Sequence, residues 1–282
     1  MDIDSVKERQ LALSHGTTYY LEAGQGEPLI LLHGVGFWTG GDYWLPNMAE
    51  LSQYFHVYAP DFVGWGKGDR LQVEYSFSYL ADFVREFQDA LGISSAHVVG
   101  HSMGGWVASL LGYESPDRVR TLTLISAGGI SKRTLSSMTS FKPPVYDDIL
   151  KHVSETSCGE TTKIAETAKR WYERTLLPGA LEAYQKILNH MNEPTHRARY
   201  NLQRRLPYIK SPALIIWGSE DKINDISMGE LMHSLIPHSE MAVVSCGHYG
   251  PSEKPREINA LIIQFTQKHL ESQSNQNSMK II

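Results

Sequence analysis

The stretch VVGHSMGGWVA, residues 98–108, places a serine between two glycines at the end of an apolar run. Val98 and Val99 end a strand-like segment, and apolar side chains recur at helical spacing after Ser102. Glycine two positions before and after the serine suits a tight turn in which a larger side chain would collide. Because Gly-x-Ser-x-Gly alone also occurs by chance, this context is needed for the interpretation. Ser102 is therefore predicted to stand on a strand-to-helix turn, where a helix N-terminus favours developing negative charge.

A serine nucleophile requires a histidine base and an acid that orients this base. Among twelve histidines, His248 is favoured because it lies in the loop CGHYG after the apolar strand 241–244. Asp221 is the predicted acid, since it follows the apolar run ALIIW at the same sheet edge, and Glu220 is the alternative. The neighbour of the serine, His101, would point away from it on the turn, so it is interpreted either as a packing residue or as a residue that supports the catalytic side chains without contacting the substrate. The order Ser, Asp, His then differs from that of chymotrypsin and subtilisin.

The loop HGVG follows another apolar strand and is flexible enough to aim a backbone N–H at a developing oxyanion. We predict that Val35 and Met103, the residue after the serine, supply the two N–H groups. Glycines of this loop and large apolar side chains are expected to line the substrate pocket. The predicted pocket residues are Gly34, Gly36, Phe37, Trp38, Trp106, Met138, Trp171 and Tyr249.

Apolar runs alternate with helix-like stretches along the chain, which predicts an α/β fold with a parallel sheet. Six runs are predicted strands: Leu29 to Leu32, Val57 to Ala59, Val98 to Val99, Leu122 to Ile125, Leu214 to Trp217 and Met241 to Val244. Residues 132–210 show no strand pattern and are predicted to form a helical lid over the carboxyl edge of the sheet. The core is assigned to residues 1–131 and 211–270, and residues 271–282 are expected to be disordered.

The composition limits the kind of partner. A net charge of −5 and the lack of a Lys/Arg block argue against nucleic acid and anionic membranes. No apolar window is long enough to span a bilayer, the N-terminus does not suggest secretion, and the two cysteines lack the spacing of metal ligands. We therefore expect a cytoplasmic protein with a small-molecule substrate and no metal or cofactor, and leave a homodimer open.

Taken together, HGVG, APDFVGWGKGD, GHSMGG, WGSED and CGH resemble the motifs of the α/β-hydrolase superfamily. The resemblance extends from about residue 17 to residue 270. It implies an eight-stranded, mostly parallel sheet with a lid, and a two-step reaction through an acyl-enzyme on Ser102. A serine at this position argues against the haloalkane dehalogenase and epoxide hydrolase branches, which use aspartate.

Two branches of the superfamily are compatible with the chain. LISAGGI and the spacing of WGSEDKI from CGHY are similar to carbon–carbon hydrolases that cleave ring-fission products of aromatic degradation. Those enzymes usually have Asn in place of His101, HGSGPG in place of HGVGFW, and Trp in place of Tyr249. GHSMGG is at least as typical of carboxylesterases and lactonases. Hydrolysis of a small, largely apolar ester or lactone is thus the first expectation, and cleavage of a vinylogous 1,5-diketone the second.

The lid run HRARYNLQRRL bears on this choice, because a guanidinium facing the pocket could bind a substrate carboxylate. For any single arginine, a solvated helix face is the more common role. The candidates are Arg197, Arg199, Arg204 and Arg205. A ligand receptor without turnover and acyl transfer to an acceptor other than water remain alternatives. A fluorophosphonate probe and product analysis with added alcohols or amines would test these two alternatives.

Overall fold

The computed structural model describes residues 6–131, 138, 140–158 and 161–279. They contain one eight-stranded sheet in the order β1-β2-β4-β3-β5-β6-β7-β8. The strands are β1 (Lys7–Leu13), β2 (Gly16–Ala23), β3 (Pro28–Leu32), β4 (His56–Pro60), β5 (Ala96–His101), β6 (Val119–Ile125), β7 (Ala213–Gly218) and β8 (Glu240–Val244).

The sheet is parallel from β4 through β8 and antiparallel only where β1 meets β2 and β2 meets β4. The predicted α/β class with a mostly parallel sheet is confirmed. Central strands are buried on both faces, and all six residues of β5 are buried. Successive side chains of β5 enter opposite apolar layers, Val98 on one face and Val99 on the other. This explains why the strand reads as an unbroken apolar run in the sequence.

None of the six strands predicted from apolar runs corresponds to β1 or β2. β1 is mostly exposed at its charged start, KERQ, and pairs with β2 as an antiparallel ribbon at the sheet edge. β2 alternates between buried and partly exposed residues. An edge ribbon with one face exposed to water needs no continuous apolar stretch, so such strands are hard to detect in the sequence.

Helices cover both faces of the sheet. α2, α3 and α8 contribute to one apolar layer, and α1 and α10 contribute to the other. The helices are α1 (Leu45–Leu51), α2 (Phe77–Ala90), α3 (Met103–Glu114), α4 (Tyr146–Thr156), α5 (Thr161–Thr175), α6 (Ala180–Asn192), α7 (Pro194–Tyr200), α8 (Ile226–Leu235), α9 (Gly250–Glu253) and α10 (Pro255–Met279).

Helices α4 to α7 lie between β6 and β7, in the segment predicted to be a lid, and its described part holds no strand. We call residues 132–210 the insertion. Residues 132–137, 139 and 159–160 of the insertion lie outside the described part. The expectation of disorder from residue 271 differs from the structure, in which the backbone of α10 is helical to Met279. The stretch ESQSNQNS contains no Gly or Pro that would end the helix.

Among the residues described, no helix is both long and apolar enough to cross a membrane.

Candidate active site

Ser102 stands on the predicted strand-to-helix turn, between the last residue of β5 and the first of α3. Its backbone has a φ of 54°, a conformation that L-residues rarely adopt. A Cβ on Gly100 would collide with the carbonyl oxygen of Gly104, and a Cβ on Gly104 with that of Leu32. The two glycines therefore let the helix pass directly over the ends of β3 and β5, and the turn presents Ser102 to a cavity.

The side chains of His248 and Asp221 meet Ser102 at this edge of the sheet. His248 Nε2 lies 3.0 Å from Ser102 Oγ, and His248 Nδ1 lies 2.8 Å from Asp221 Oδ2. Asp221 follows β7 and His248 follows β8, so adjacent parallel strands deliver both residues to one point. The alternative acid, Glu220, is exposed and accepts a hydrogen bond from Ser245 instead.

The Asp221 carboxylate is held as an anion. Burial alone would raise its pKa, but the hydrogen bond from His248 and amide N–H groups outweigh this effect and lower the pKa. The amide groups of Ile223 and Asn224 donate to Oδ1 at 2.8 and 2.9 Å, which leaves Oδ2 for the imidazole. The Asn224 side chain donates to the carbonyl oxygen of Ser126 at 2.8 Å and so ties the loop of Asp221 to the end of β6. Sequence reasoning missed Asn224, because nothing in its spacing indicates that bond.

His101 is a packing residue, as interpreted from the sequence. Its ring stacks on Tyr43 with centroids 5.1 Å apart, and its Nε2 lies 2.8 Å from the backbone oxygen of His248. Burial, followed by the charge of His248, lowers the pKa of His101 to about 3, so the ring is neutral and donates this bond. His101 therefore supports the loop of His248 through this hydrogen bond.

The HGVG loop passes directly against the serine. A Cβ on Gly34 would lie 3.4 Å from the Cβ of Ser102. Within the described residues, the backbone N–H groups of Val35 and Met103 donate to no protein acceptor. Two N–H groups without a protein partner beside the serine are the donors that an oxyanion would require.

His33 anchors this loop. Its Nε2 accepts the amide N–H of Phe62 at 3.0 Å, so its Nδ1 holds the proton and donates to the carbonyl oxygen of Gly34 at 2.7 Å. Burial lowers the pKa of His33 to about 4, which keeps the ring in this neutral form. His33 is the first residue of the HGVG motif, but its position in the sequence indicates no role for its side chain.

A cavity of about 770 Å³ opens in front of Ser102 and His248. Its wall combines the edge of the sheet with side chains of the insertion, among them His152, Tyr184 and Arg197. Every predicted pocket residue lies in this wall: Gly34, Gly36, Phe37, Trp38, Trp106, Met138, Trp171 and Tyr249. Side chains of the insertion thus line the same cavity as the carboxyl edge of the sheet.

Of the four candidate arginines, Arg197 lines the cavity. It is 6% exposed, donates to the carbonyl oxygens of Met191 and Ser131, and lies 5.5 Å from the ring centroid of Trp106. Its Nε has no partner, and no described carboxylate forms an ion pair with it. The other three are placed elsewhere: Arg199 and Arg204 are exposed, and the buried Arg205 donates to Asn201 away from the cavity.

A buried ion pair attaches the insertion to the core. Arg174 on α5 donates to Asp42 at 2.8 Å and to the carbonyl oxygen of Trp38 at 3.1 Å. Asp42 also accepts hydrogen bonds from Arg170 and Trp171 of the same helix. Burial would raise the pKa of Asp42, but the Arg174 guanidinium holds it well below its ordinary value. Sequence reasoning missed this pair, since 132 residues separate its members.

One described cluster has the residue types of a metal site. Glu74, His190 and His196 hold ligand atoms within 4.8 Å of one another. His190 Nε2 accepts the amide N–H of Phe77 at 3.3 Å, which leaves the proton of the neutral ring on Nδ1. The rings of His190 and His196 are stacked 4.2 Å apart, so their in-plane lone pairs do not converge on one point. The cluster lies outside the cavity wall, and we assign it no cofactor.

Comparison with known proteins adds four findings. A family model described as alpha/beta hydrolase fold matches residues 27–255. The chain is 29% identical over 272 residues to a 2-hydroxy-6-oxo-6-phenylhexa-2,4-dienoate hydrolase of Comamonas testosteroni, covering 90% of this chain and 92% of that protein. It is 28% identical over 265 residues to a 2-hydroxy-6-oxononadienedioate/2-hydroxy-6-oxononatrienedioate hydrolase of Paraburkholderia phymatum, covering 88% and 90%. A meta-cleavage product hydrolase structure from Pseudomonas fluorescens IP01 superposes with a TM-score of 0.80 and 26% identity, covering 94% and 98%.

Proposed function

The chain belongs to the alpha/beta hydrolase fold family, and from this premise we propose that it is a serine hydrolase that forms an acyl-enzyme on Ser102. The observation that carries the proposal is the continuous path of hydrogen bonds from Ser102 Oγ through His248 to Asp221. His248 faces Ser102 with Nε2 and Asp221 with Nδ1, which is the arrangement that proton transfer from the serine requires. The serine also faces a cavity large enough for a small organic substrate.

The proposed reaction uses these groups in two steps. His248 Nε2 takes the proton of Ser102 Oγ while the oxygen attacks the substrate carbonyl carbon, and Asp221 stabilises the imidazolium that results. The N–H groups of Val35 and Met103 hold the negative oxygen of the tetrahedral intermediate. His248 then returns its proton to the leaving group as the old bond breaks. Water, deprotonated by the same imidazole, attacks the acyl-enzyme. The imidazolium returns this proton to Ser102 Oγ as the bond between the serine oxygen and the acyl group breaks, which releases the acid.

We propose that the substrate carries a carboxylate. Arg197 places a charged guanidinium in the cavity wall, and its described partners are two carbonyl oxygens rather than an acid. A buried charge without a counter-ion is costly, and a substrate carboxylate would supply the missing negative charge. The guanidinium also lies over the aromatic ring of Trp106, and its Nε donates to no described partner.

Carbon–carbon bond hydrolysis of a vinylogous 1,5-diketone acid is the activity that we favour within this class. Ring-fission substrates of this kind combine a carboxylate with the carbonyl that Ser102 would attack. Relatives with 28–29% identity over about nine-tenths of the chain are named as hydrolases of such compounds. The cationic Arg197 in the cavity wall and the named activities of the relatives therefore support the same substrate type.

Ester or lactone hydrolysis is the second candidate. The residue before the serine is His101, whose Nε2 is used by the backbone oxygen of His248. That position consequently offers the cavity no side-chain amide, unlike the asparagine usual in carbon–carbon hydrolases. An ester needs no such group, because its oxygen leaves readily once His248 protonates it.

A comparison of three substrates separates the candidates. Wild type is assayed with 2-hydroxy-6-oxo-6-phenylhexa-2,4-dienoate, with a carboxylate-bearing aryl ester and with neutral p-nitrophenyl acetate. Ser102→Ala tests the nucleophile, and Ser109→Ala, a buried serine of α3 that bonds only its own helix, is the matched control. The proposal expects Ser102-dependent turnover that is highest on the dienoate. Highest turnover on either ester supports the second candidate, and turnover that survives Ser102→Ala contradicts both.

A further inference from the structure

His152 of α4 stands in the cavity wall among aromatic rings. Its ring centroid lies 4.7 Å from that of Tyr249, edge to face, and 5.1 Å from that of Trp38. The indole of Trp171 lies 6.5 Å away. The imidazole of His152 is therefore the polar member of a local cluster of aromatic side chains.

The ring nitrogens of His152 make no hydrogen bond or ion pair with any side chain or backbone group that the structure describes. The hydroxyl of Thr156 donates to the backbone oxygen of His152 and leaves the ring untouched. Burial, and then the charge of His248, lowers the pKa of His152 to about 4. At neutral pH the ring therefore offers one N–H donor and one lone pair. These two groups fit a hydroxyl or carbonyl oxygen better than they fit a carboxylate.

The surroundings of His152 and of Arg197 are separate. Arg197 contacts Met191, Ser131 and Trp106. The described ring neighbours of His152 are instead Trp38, Trp171 and Tyr249. His152 is instead linked to the proposed base, since Tyr249 packs against both His152 and His248, with centroids 4.7 and 5.2 Å apart. Arg197 and His152 thus give the wall of the serine two distinct polar positions, one charged and one neutral.

We propose that His152 forms a second polar subsite, which selects substrates with a hydroxyl or carbonyl oxygen on the group away from the carboxylate, most simply a hydroxyaryl group. The flanking rings of Trp38, Trp171 and Tyr249 provide the apolar faces that an aryl ring requires. The inference rests on the proposed function, because it assumes that the substrate occupies this cavity.

Binding without turnover tests the subsite. Ser102→Ala protein is titrated with benzoate and with 2-, 3- and 4-hydroxybenzoate, followed by calorimetry. The proposal expects at least one hydroxybenzoate to bind about threefold to tenfold tighter than benzoate, the range of one hydrogen bond. His152→Phe in the same background should remove this preference, and His152→Gln, which keeps a donor and an acceptor, should retain part of it.

His196→Phe is the matched control, since His196 belongs to the insertion but not to the cavity wall. It should leave the hydroxybenzoate preference intact, and thermal unfolding checks that each variant is folded. A preference that persists in His152→Phe, or the lack of any preference in the parent, overturns the subsite. If the preference depends on His152 while wild type hydrolyses none of the substrates above, the subsite stands and the proposed function fails.

Discussion

The imidazole of His33 donates to the carbonyl oxygen of Gly34 at 2.7 Å, and this carbonyl belongs to the same peptide group as the N–H of Val35. In a trans peptide the C=O and N–H point in opposite directions within one plane. Holding the oxygen of Gly34 therefore also sets the direction of the Val35 N–H. A histidine that does not face the cavity thus orients one of the two proposed oxyanion donors.

Replacing His33 should lower turnover more than substrate binding. In His33→Phe the Gly34 carbonyl loses its anchor, so we expect kcat to fall about tenfold or more while KM changes less than about twofold. Steady-state kinetics on the best substrate measures both. His97→Phe, at another fully buried histidine, controls for the loss of stability and should leave kcat unchanged. An unaltered kcat in folded His33→Phe would show that the loop holds its geometry without this bond.

Arg197→Gln should weaken the binding of carboxylate substrates selectively. Loss of a charge-assisted contact is expected to raise KM about 10-fold to 100-fold for an anionic substrate and to leave a neutral ester within about twofold. Arg199→Gln, on the same helix but exposed, is the matched control. Equal effects of Arg197→Gln on both substrate types would argue for a purely structural role.

Breaking the buried pair of Asp42 and Arg174 should destabilise the protein. Asp42→Asn leaves the Arg174 guanidinium without its close partner, and we expect a loss of about 3 kcal/mol in the free energy of unfolding. The double variant Asp42→Asn/Arg174→Gln should lose less than the sum of the single variants, because it removes the charge of Arg174 together with that of its close partner. Urea denaturation measures the four proteins. Strict additivity would mean that the two side chains act independently.

Stability should fall as the solution is acidified from pH 6.5 toward pH 4. Burial lowers the pKa of His97 to about 4, so the unfolded chain binds its proton at a higher pH than the folded chain does. The contribution of His97 to the free energy of unfolding is complete above the ordinary pKa of about 6.5. It is lost as the pH falls from 6.5 toward 4, up to about 3 kcal/mol for one such group. His97→Asn should make the dependence of urea stability on pH less steep by the share of one histidine, because His33, His101 and His152, whose pKa values burial also lowers, remain. Thr121→Val removes only the hydrogen-bond partner of His97 and should retain the slope.

The sequence predicted the central strands and the meeting of three side chains for a common physical reason. Strands buried on both faces require continuous apolar runs, and residues directly after parallel strands share one edge of the sheet. Asp221 and His248 could thus be placed beside Ser102 from their positions alone. The edge strand β1 carries no such run, since most of its side chains face water.

The inner surface of the insertion was harder to predict. Arg197 and Arg199 lie two residues apart on one helix, yet one lines the cavity and the other is exposed. Which arginine turns inward depends on how α7 packs against Trp106 and the chain near Ser131, contacts that bridge distant parts of the sequence. His152 likewise acquires its aromatic neighbours only when α4 docks beside Trp38 and Tyr249.

The bond from Arg174 to the Trp38 carbonyl has a consequence for protein engineering and for evolution. An insertion grafted from another family member would need an arginine at the same place, and the recipient would need an aspartate equivalent to Asp42. Without this arginine and this aspartate, the graft would bring new pocket side chains, but the loop of Val35 would lose its hydrogen bond to the insertion. New specificity in this scaffold is therefore expected to require paired changes on both sides of that contact.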